Sequence, residues 1–201
     1  MLRTVILILG LFVATCATAQ QLPSLYRVEG VATGDVLNVR AQPSAQSEIV
    51  GALPPGTRRV EVIGLSDDGR WGWIRNQEGM GWAAMRFLAP EDAAPWHEAA
   101  APMSCYGTEP FWSLSLDFPS TKATLRTPDS EVLLSTPVPH LPSTRFPPTL
   151  AVPFHGARNG MAVVRATLCN DGMSDRMFGF EVQVYFTDTA DALSGCCQIG
   201  D

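Results

Sequence analysis

Apolar and polar residues alternate one by one in stretch after stretch of this chain, and almost nowhere do they recur at the spacing of a helix. In residues 111–118, Trp112, Leu114, Leu116 and Phe118 alternate with Phe111, Ser113, Ser115 and Asp117, which predicts a strand with one buried and one wet face. Residues 161–169 and 177–186 read as a hairpin around the polar turn 170–176: Phe178, Phe180, Val182, Val184 and Phe186 mark its inner face, against Gly179, Glu181, Gln183 and Tyr185. Shorter strands are expected at 122–126 and 132–135. The span 136–153 carries prolines at 137, 139, 142, 147, 148 and 153, which predicts a long surface loop rather than a central strand. Residues 26–88 break into brief apolar alternations separated by Gly, Pro, Asn and Asp, as short strands joined by tight turns do. Between the halves, residues 89–102 mix Pro and Ala with acids and lack any strand period, so they read as an extended or loosely ordered linker. The expected organisation is all-β: a small barrel over 20–88, then a second small antiparallel β domain, barrel or sandwich, over 103–201. Strands never alternate with long helical segments, which excludes a parallel α/β architecture.

The chain's first residues change the picture of where it works. Arg3, an apolar run from Val5 to Ala14 and then Ala17-Thr18-Ala19 form the three regions of a secretory signal, with cleavage expected before Gln20. A competing reading makes Cys16 a lipidated N-terminus, but Thr15 and Val13 fit a lipoprotein signal poorly. The net charge of −6 becomes more negative once Arg3 is removed, and Arg58-Arg59 is the largest cationic cluster. Nucleic acid and anionic membrane are therefore poor partners. Of five cysteines, Cys105, Cys169, Cys196 and Cys197 follow residue 19. An even count in a periplasmic or secreted chain favours disulfides over free thiols or metal ligation. A bridge between neighbours Cys196 and Cys197 needs a strained ring, which leaves two long-range connectivities open. No Cys or His pair has metal-ligand spacing, and no Gly-rich loop is shaped to cradle phosphate, so neither metal nor cofactor is expected.

In the first half, Leu37-Asn38-Val39-Arg40 followed by Pro43 resembles the first core strand and turn of a bacterial SH3 domain. Ile49-Val50-Gly51-Ala52-Leu53 with Pro55-Gly56-Thr57, then Val60-Glu61-Val62-Ile63, are similar to its second and third strands. Arg70-Trp71-Gly72-Trp73-Ile74 and Gly79-Met80-Gly81-Trp82-Ala83 resemble its closing pair. The resemblance spans about 60 residues, the size of one small domain. It implies binding of peptide-like ligands, often the peptide stems of cell wall, without catalysis. Trp71, Trp73 and Trp82 are the aromatic candidates. Trp71 and Trp82 match structural positions and are expected in the barrel core; Trp73 stands where the family has a polar residue and is expected to offer an exposed flat ring.

In the second half, Gly107-Thr108-Glu109-Pro110-Phe111-Trp112, Cys169-Asn170-Asp171-Gly172-Met173-Ser174 and Gly195-Cys196 resemble a bacterial envelope-protein family to which no biochemical activity is attached. Thr108 departs from its usual Asn, and Cys197 is an addition. The pattern implies that Cys169 partners Cys196, leaving Cys197 for Cys105. Read from the residues, Glu109-Pro110 sets an extended approach to the strand at 111, and Asp171 and Ser174 bond their own turn backbone; Glu109, Asp171 and Arg176 are the candidates for a ligand site. Ser104-Cys105-Tyr106-Gly107 faintly resembles the nucleophile of Cys/His cell-wall endopeptidases. Such a thiol should open a helix, yet Pro110 and a strand follow, and none of His97, His140 and His155 stands where a base is needed. The expected function is a non-enzymatic exported binder of cell-wall peptide, the rival being an accessory protein that docks on another envelope protein, as a lysozyme inhibitor does. The intact mass of the processed protein should begin at Gln20; a diacylated Cys16 would overturn that reading.

Overall fold

The expected alternation becomes strand pairing throughout the computed structural model, which describes residues 21–77, 79–91, 94–99, 101–136, 141–143 and 147–199. The expectations for the signal segment, for Cys16 and for His140 lie outside those residues. Seven strands, β1 (Ser24–Val28), β2 (Leu37–Arg40), β3 (Ile49–Leu53), β4 (Val60–Leu65), β5 (Trp71–Asn76), β6 (Gly79–Ala84) and β7 (Leu88–Pro90), form one sheet in the order β3-β2-β6-β5-β4-β1-β7. Its inner face is small and aliphatic: Leu37, Val39, Val62, Ile74, Ala83 and Leu88 are all buried, with Tyr26 and Val28 beside them. Gly81 is part of that economy, because a Cβ there would collide with Val39. Alternation then sends Trp71, Trp73 and Trp82 outward, and each is half-buried. The expectation that Trp71 and Trp82 fill the core is thus corrected: the inward positions of β5 and β6 belong to Gly72, Ile74, Gly81 and Ala83, and alternation leaves the indoles on the other face.

Nine strands make the second sheet: β8 (Met103–Thr108), β9 (Phe111–Asp117), β10 (Lys122–Thr127), β11 (Ser130–Ser135), β12 (Leu141–Pro142), β13 (Thr149–Gly156), β14 (Gly160–Asn170), β15 (Met177–Phe186) and β16 (Ala192–Ile199). They run β11-β10-β9-β8-β16-β15-β14-β13-β12, and a further pairing of Leu134 with Gly156 and Ser135 with His155 joins β11 to β13. Eight antiparallel strands therefore close into a barrel, with β12 attached outside the closure, and the choice between barrel and sandwich falls to the barrel. The inward residues foreseen on 111–118 and 177–186 fill it: Leu114, Leu116, Phe180, Val182 and Val184 are almost wholly inaccessible.

Two expectations fail here. Pro153 lies within β13, not in a surface loop; on its second edge this strand is paired at Leu150, Ala151, His155 and Gly156, and Pro153 falls in the gap where no ladder donor is required. In the segment 89–102, the described residues do not form a loose linker either. Its first residues continue β7, paired with β1, and Trp96 in a single 3₁₀ turn is buried against Phe180, ring centroids 5.0 Å apart. One large ring anchors a stretch that shows no period. No helix among the described residues is long and apolar enough to cross a membrane.

Both disulfides pair as the second resemblance implied, Cys105 with Cys197 and Cys169 with Cys196. Cys197 and Cys105 face each other on neighbouring strands inside the core, whereas Cys196, one residue earlier, points to the other face and meets the end of β14 beyond a bulge at 166–169. The bridges span 92 and 27 residues, for which loop-closure entropy gives about 3–5 kcal/mol each.

The two sheets meet on the outer face of β1 and β4. Leu25 buries itself in the second core, and Ile63 packs where Gly179 leaves space, since a Cβ at 179 would sit 3.0 Å from Ile63 Cγ2 and collide with Pro23. Glu61, 8% exposed, accepts a 3.0 Å hydrogen bond from the Ile199 backbone N–H. Burial pushes its carboxyl from the ordinary 4.5 up to about 8, against the opposing pull of that N–H and of the Arg75 charge. Glu61 is therefore protonated in the native protein at pH values where the unfolded chain has already released the proton. Its contribution is complete below about pH 4.5 and is lost as pH rises to about 8, with a limiting slope of about 1.4 kcal/mol per pH unit. Thermal midpoints measured from pH 5 to 9 should fall more steeply in the native chain than in Glu61→Gln; equal slopes would remove Glu61 as the cause.

Candidate functional site

The β4–β5 turn positions Trp71. Ser66 Oγ accepts from the Trp71 N–H at 3.0 Å and donates to Asp68 Oδ1 at 2.7 Å, while the Ser66 N–H returns a 2.9 Å bond to the Trp71 carbonyl. Across from it, Arg40 Nη1 donates to the Ser47 carbonyl at 2.6 Å and the Gln42 N–H to Ser47 Oγ at 2.9 Å, which fixes the loop after β2. Between these loops and the 3₁₀ turn Met85–Phe87 lie two adjoining hollows of about 520 and 360 Å³. Trp71, Ala45, Ala84 and Arg86 line both, so they form one groove with an indole shared between its halves. Arg70, whose Nε donates to Asp68 Oδ2 at 2.6 Å, borders one half and Arg40 the other, with Asp35 as the acid among the lining residues; the Arg86 guanidinium rests 4.7 Å above the Phe87 ring and is the groove's less encumbered cation. A groove with a flat apolar floor and several guanidinium groups can hold a peptide that carries carboxylates beside small side chains.

Trp73 and Trp82 line neither hollow. They stand directly opposite each other on β5 and β6 and stack, centroids 5.9 Å apart and planes 15° from parallel. Trp73 also lies over Gly64. The flat ring expected to meet ligand is thus partly covered by its neighbour. The sequence reading missed Arg86, which sits in a turn with no period to mark it, and it passed over Arg40, whose outward position in Leu37-Asn38-Val39-Arg40 was legible.

On the second barrel, the turn from 171 to 176 is built as expected from its own side chains. Asp171 Oδ1 accepts from the N–H groups of Met173 and Ser174 at 3.0 and 2.9 Å, and Ser174 Oγ bonds the same carboxylate. Partial burial pushes the Asp171 carboxyl upward, yet those three donors together with the Arg176 charge outweigh it and hold the group below the usual range. Thr108 Oγ1 donates to the Asp171 carbonyl at 3.1 Å and ties in the β8–β9 turn. Asp171 and Arg176 come together on a hollow of about 620 Å³ that also takes in Arg75 of the first sheet. Glu109 does not join them: it is exposed at the tip of a two-residue turn between β8 and β9, not in an extended approach. Cys105 is held in its disulfide with no accessible surface, so it presents no thiol to a substrate. His155 is exposed on β13. The described residues contain no metal-binding group of His, Cys, Asp or Glu.

A family model, that of the bacterial SH3 domain, matches residues 35–89, which run from the loop before β2 to β7 and contain the entire β4–β5–β6 surface. No curated protein and no solved structure matches the chain. Trp73→Ala, which removes a stacked cross-strand pair, should lower unfolding stability by about 1–3 kcal/mol while leaving Trp71 in place; chemical denaturation would check this, and an unchanged midpoint would mean that the stack contributes nothing to the fold.

Proposed function

We propose that the bacterial SH3 domain at residues 35–89 is a non-catalytic binding module that takes carboxylate-bearing peptide, of the kind found in cell-wall stems, into the groove at Trp71. The observation that carries this reading is the position of Trp71 across both halves of a groove that Arg40, Arg70 and Arg86 border. The chain as a whole has a charge of −6, so cations gathered at one groove are a local feature with a local consequence: they favour an anionic ligand that the remaining surface would repel. Stem peptides combine free carboxylates with small aliphatic side chains, which suits an indole floor flanked by Ala45 and Ala84. The two disulfides and the bacterial SH3 domain fit an extracellular or envelope protein, where such peptides are met. Catalysis has no part in the proposal, and the buried disulfide at Cys105 supports leaving it out.

Purified peptidoglycan should retain the full chain, and Trp71→Ala or Arg86→Gln should weaken retention by roughly 10- to 100-fold, the range of an interface hot spot, at unchanged thermal midpoint. Retention by a protein-only envelope extract with none on peptidoglycan would transfer the assignment to a protein partner; full retention by Trp71→Ala would remove the groove.

A further inference from the structure

We propose that the hollow where the second barrel meets the first sheet is a second binding site, for a peptide end that presents a free carboxylate next to an apolar side chain. The proposal stands apart from the groove at Trp71 and shares no residue with it. Its walls come from both halves of the molecule: Arg75 from β5, Trp112 from β9, Arg126 from β10, and Asp171, Met173 and Arg176 from the β14–β15 turn. At about 620 Å³ it has the size of ordinary ligand pockets, roughly 300–1,000 Å³.

Three properties of these walls specify the ligand. The first is charge. Three guanidinium groups face one carboxylate, Asp171, whose oxygens already accept from Met173 and Ser174. Arg126 leans on Glu131 at 2.6 Å, but this pair is more than half exposed and solvent weakens it. The hollow is cationic on an acidic chain. The second property is hydrogen-bonding capacity left over. Trp112 is only 5% exposed, yet its indole N–H has no acceptor among the described residues, and neither has Arg176 Nε. A buried donor without a partner costs about 1–3 kcal/mol, so buried donors are normally satisfied. The indole nitrogen lies against Gly107, another wall residue, where any Cβ would collide with it. Glycine at this wall position makes room for the ring, so the unmatched indole N–H lies buried directly behind the wall of the hollow. The third property is apolar surface. Phe111 is 56% exposed and Met173 65%, and both line the hollow beside these donors. Large apolar side chains exposed next to unmatched donors fit a ligand that brings both an anion and an apolar group. A two-oxygen acceptor suits the guanidinium fork, the side chain next to it covers Phe111 and Met173, and the indole N–H behind the wall reports on the site's occupancy.

The test uses the ¹⁵N-labelled full chain, whose five tryptophans give separable indole N–H signals, with Trp112 assigned through Trp112→Phe. The probes are acetyl-Ala-Ala-Phe with a free C-terminus, the same peptide as its C-terminal amide, and inorganic phosphate. The free acid should shift the Trp112 signal saturably, and the amide should bind at least about tenfold more weakly, a loss of about 1.4 kcal/mol. Arg176→Gln should weaken the acid by a similar factor. Should that variant fold poorly, Arg126→Gln, at an exposed position, carries the same expectation at unchanged thermal midpoint. Equal binding of acid and amide, a Trp112 signal that no peptide moves, or full affinity in a folded arginine variant would each overturn the proposal. So would phosphate shifting the signal as far as the peptide, which would make this a phosphate site.

Discussion

Strand β16 carries the constraint on which the rest of the structure depends. Side chains of neighbouring residues in a strand must point to opposite faces, so Cys196 and Cys197 cannot serve the same side of the barrel. Cys197 turns inward and fastens β16 to β8, and Cys196 turns the other way and fastens it to the end of β14. Two residues further on, the Ile199 N–H donates to Glu61 and connects the same strand to the first sheet. Eight residues therefore carry both cross-links of one barrel and a hydrogen bond at its junction with the other unit. The cross-links matter because, among the described residues, two residue pairs between β11 and β13 close this barrel, and β13 contains a proline at Pro153. The bridges limit how far the unfolded chain can disperse, and the apolar interior then selects the barrel.

How much of this was legible varies with the physics behind each part. Strands with one wet and one dry face could be read directly, as 111–118 and 177–186 were, because period-two alternation follows from a half-buried pleat. Strands β8 and β16 gave no such signal: Met103-Ser104-Cys105-Tyr106-Gly107 and Ser194-Gly195-Cys196-Cys197 place small residues and cysteines where apolar side chains would otherwise mark the core. Their pairing is enforced by cross-links and by room for Trp112, which Gly107 and Gly195 provide. Pro153 misled for a different reason. The rule against proline in strands concerns a missing donor, and it does not apply where the neighbouring strand has a gap. The tryptophans misled because size was taken as a proxy for burial. Where β5 and β6 turn Gly72, Ile74, Gly81 and Ala83 inward, the indoles between them lie on the outer face and find their contact there, on another ring or on a loop.

The candidate sites were less legible than the fold, and electrostatics explains why. Arg40, Arg70 and Arg86 are far apart along the chain, and so are Arg75, Arg126 and Arg176; neither set forms a run that a sequence scan would notice. Only the curvature of the sheets collects them. The same curvature separates residues that proximity in sequence had grouped: Trp71 and Trp73 share a strand face, yet one lines the groove and the other stacks on Trp82. Asp171 and Arg176 were visible together because one short turn contains both. Glu109 was grouped with them through a motif, and the β8–β9 turn carries it out into solvent.

The hollow at the junction has a geometry that neither unit sets alone. Arg75 belongs to the first sheet, while the donors and apolar walls opposite belong to the second. The distance between them is governed by the contacts of Leu25 and Ile63, which are non-directional, and by the Glu61 hydrogen bond to Ile199, which is directional. Apolar contact keeps the units together at low specificity for register; a buried carboxyl that must meet a particular backbone N–H supplies that register, since leaving either group unpaired in the interior is costly. Arg75 is bound into this arrangement through its charge, which opposes the effect of burial on Glu61. Its guanidinium therefore has two electrostatic neighbours to satisfy, the carboxyl at the junction and whatever anion enters the hollow.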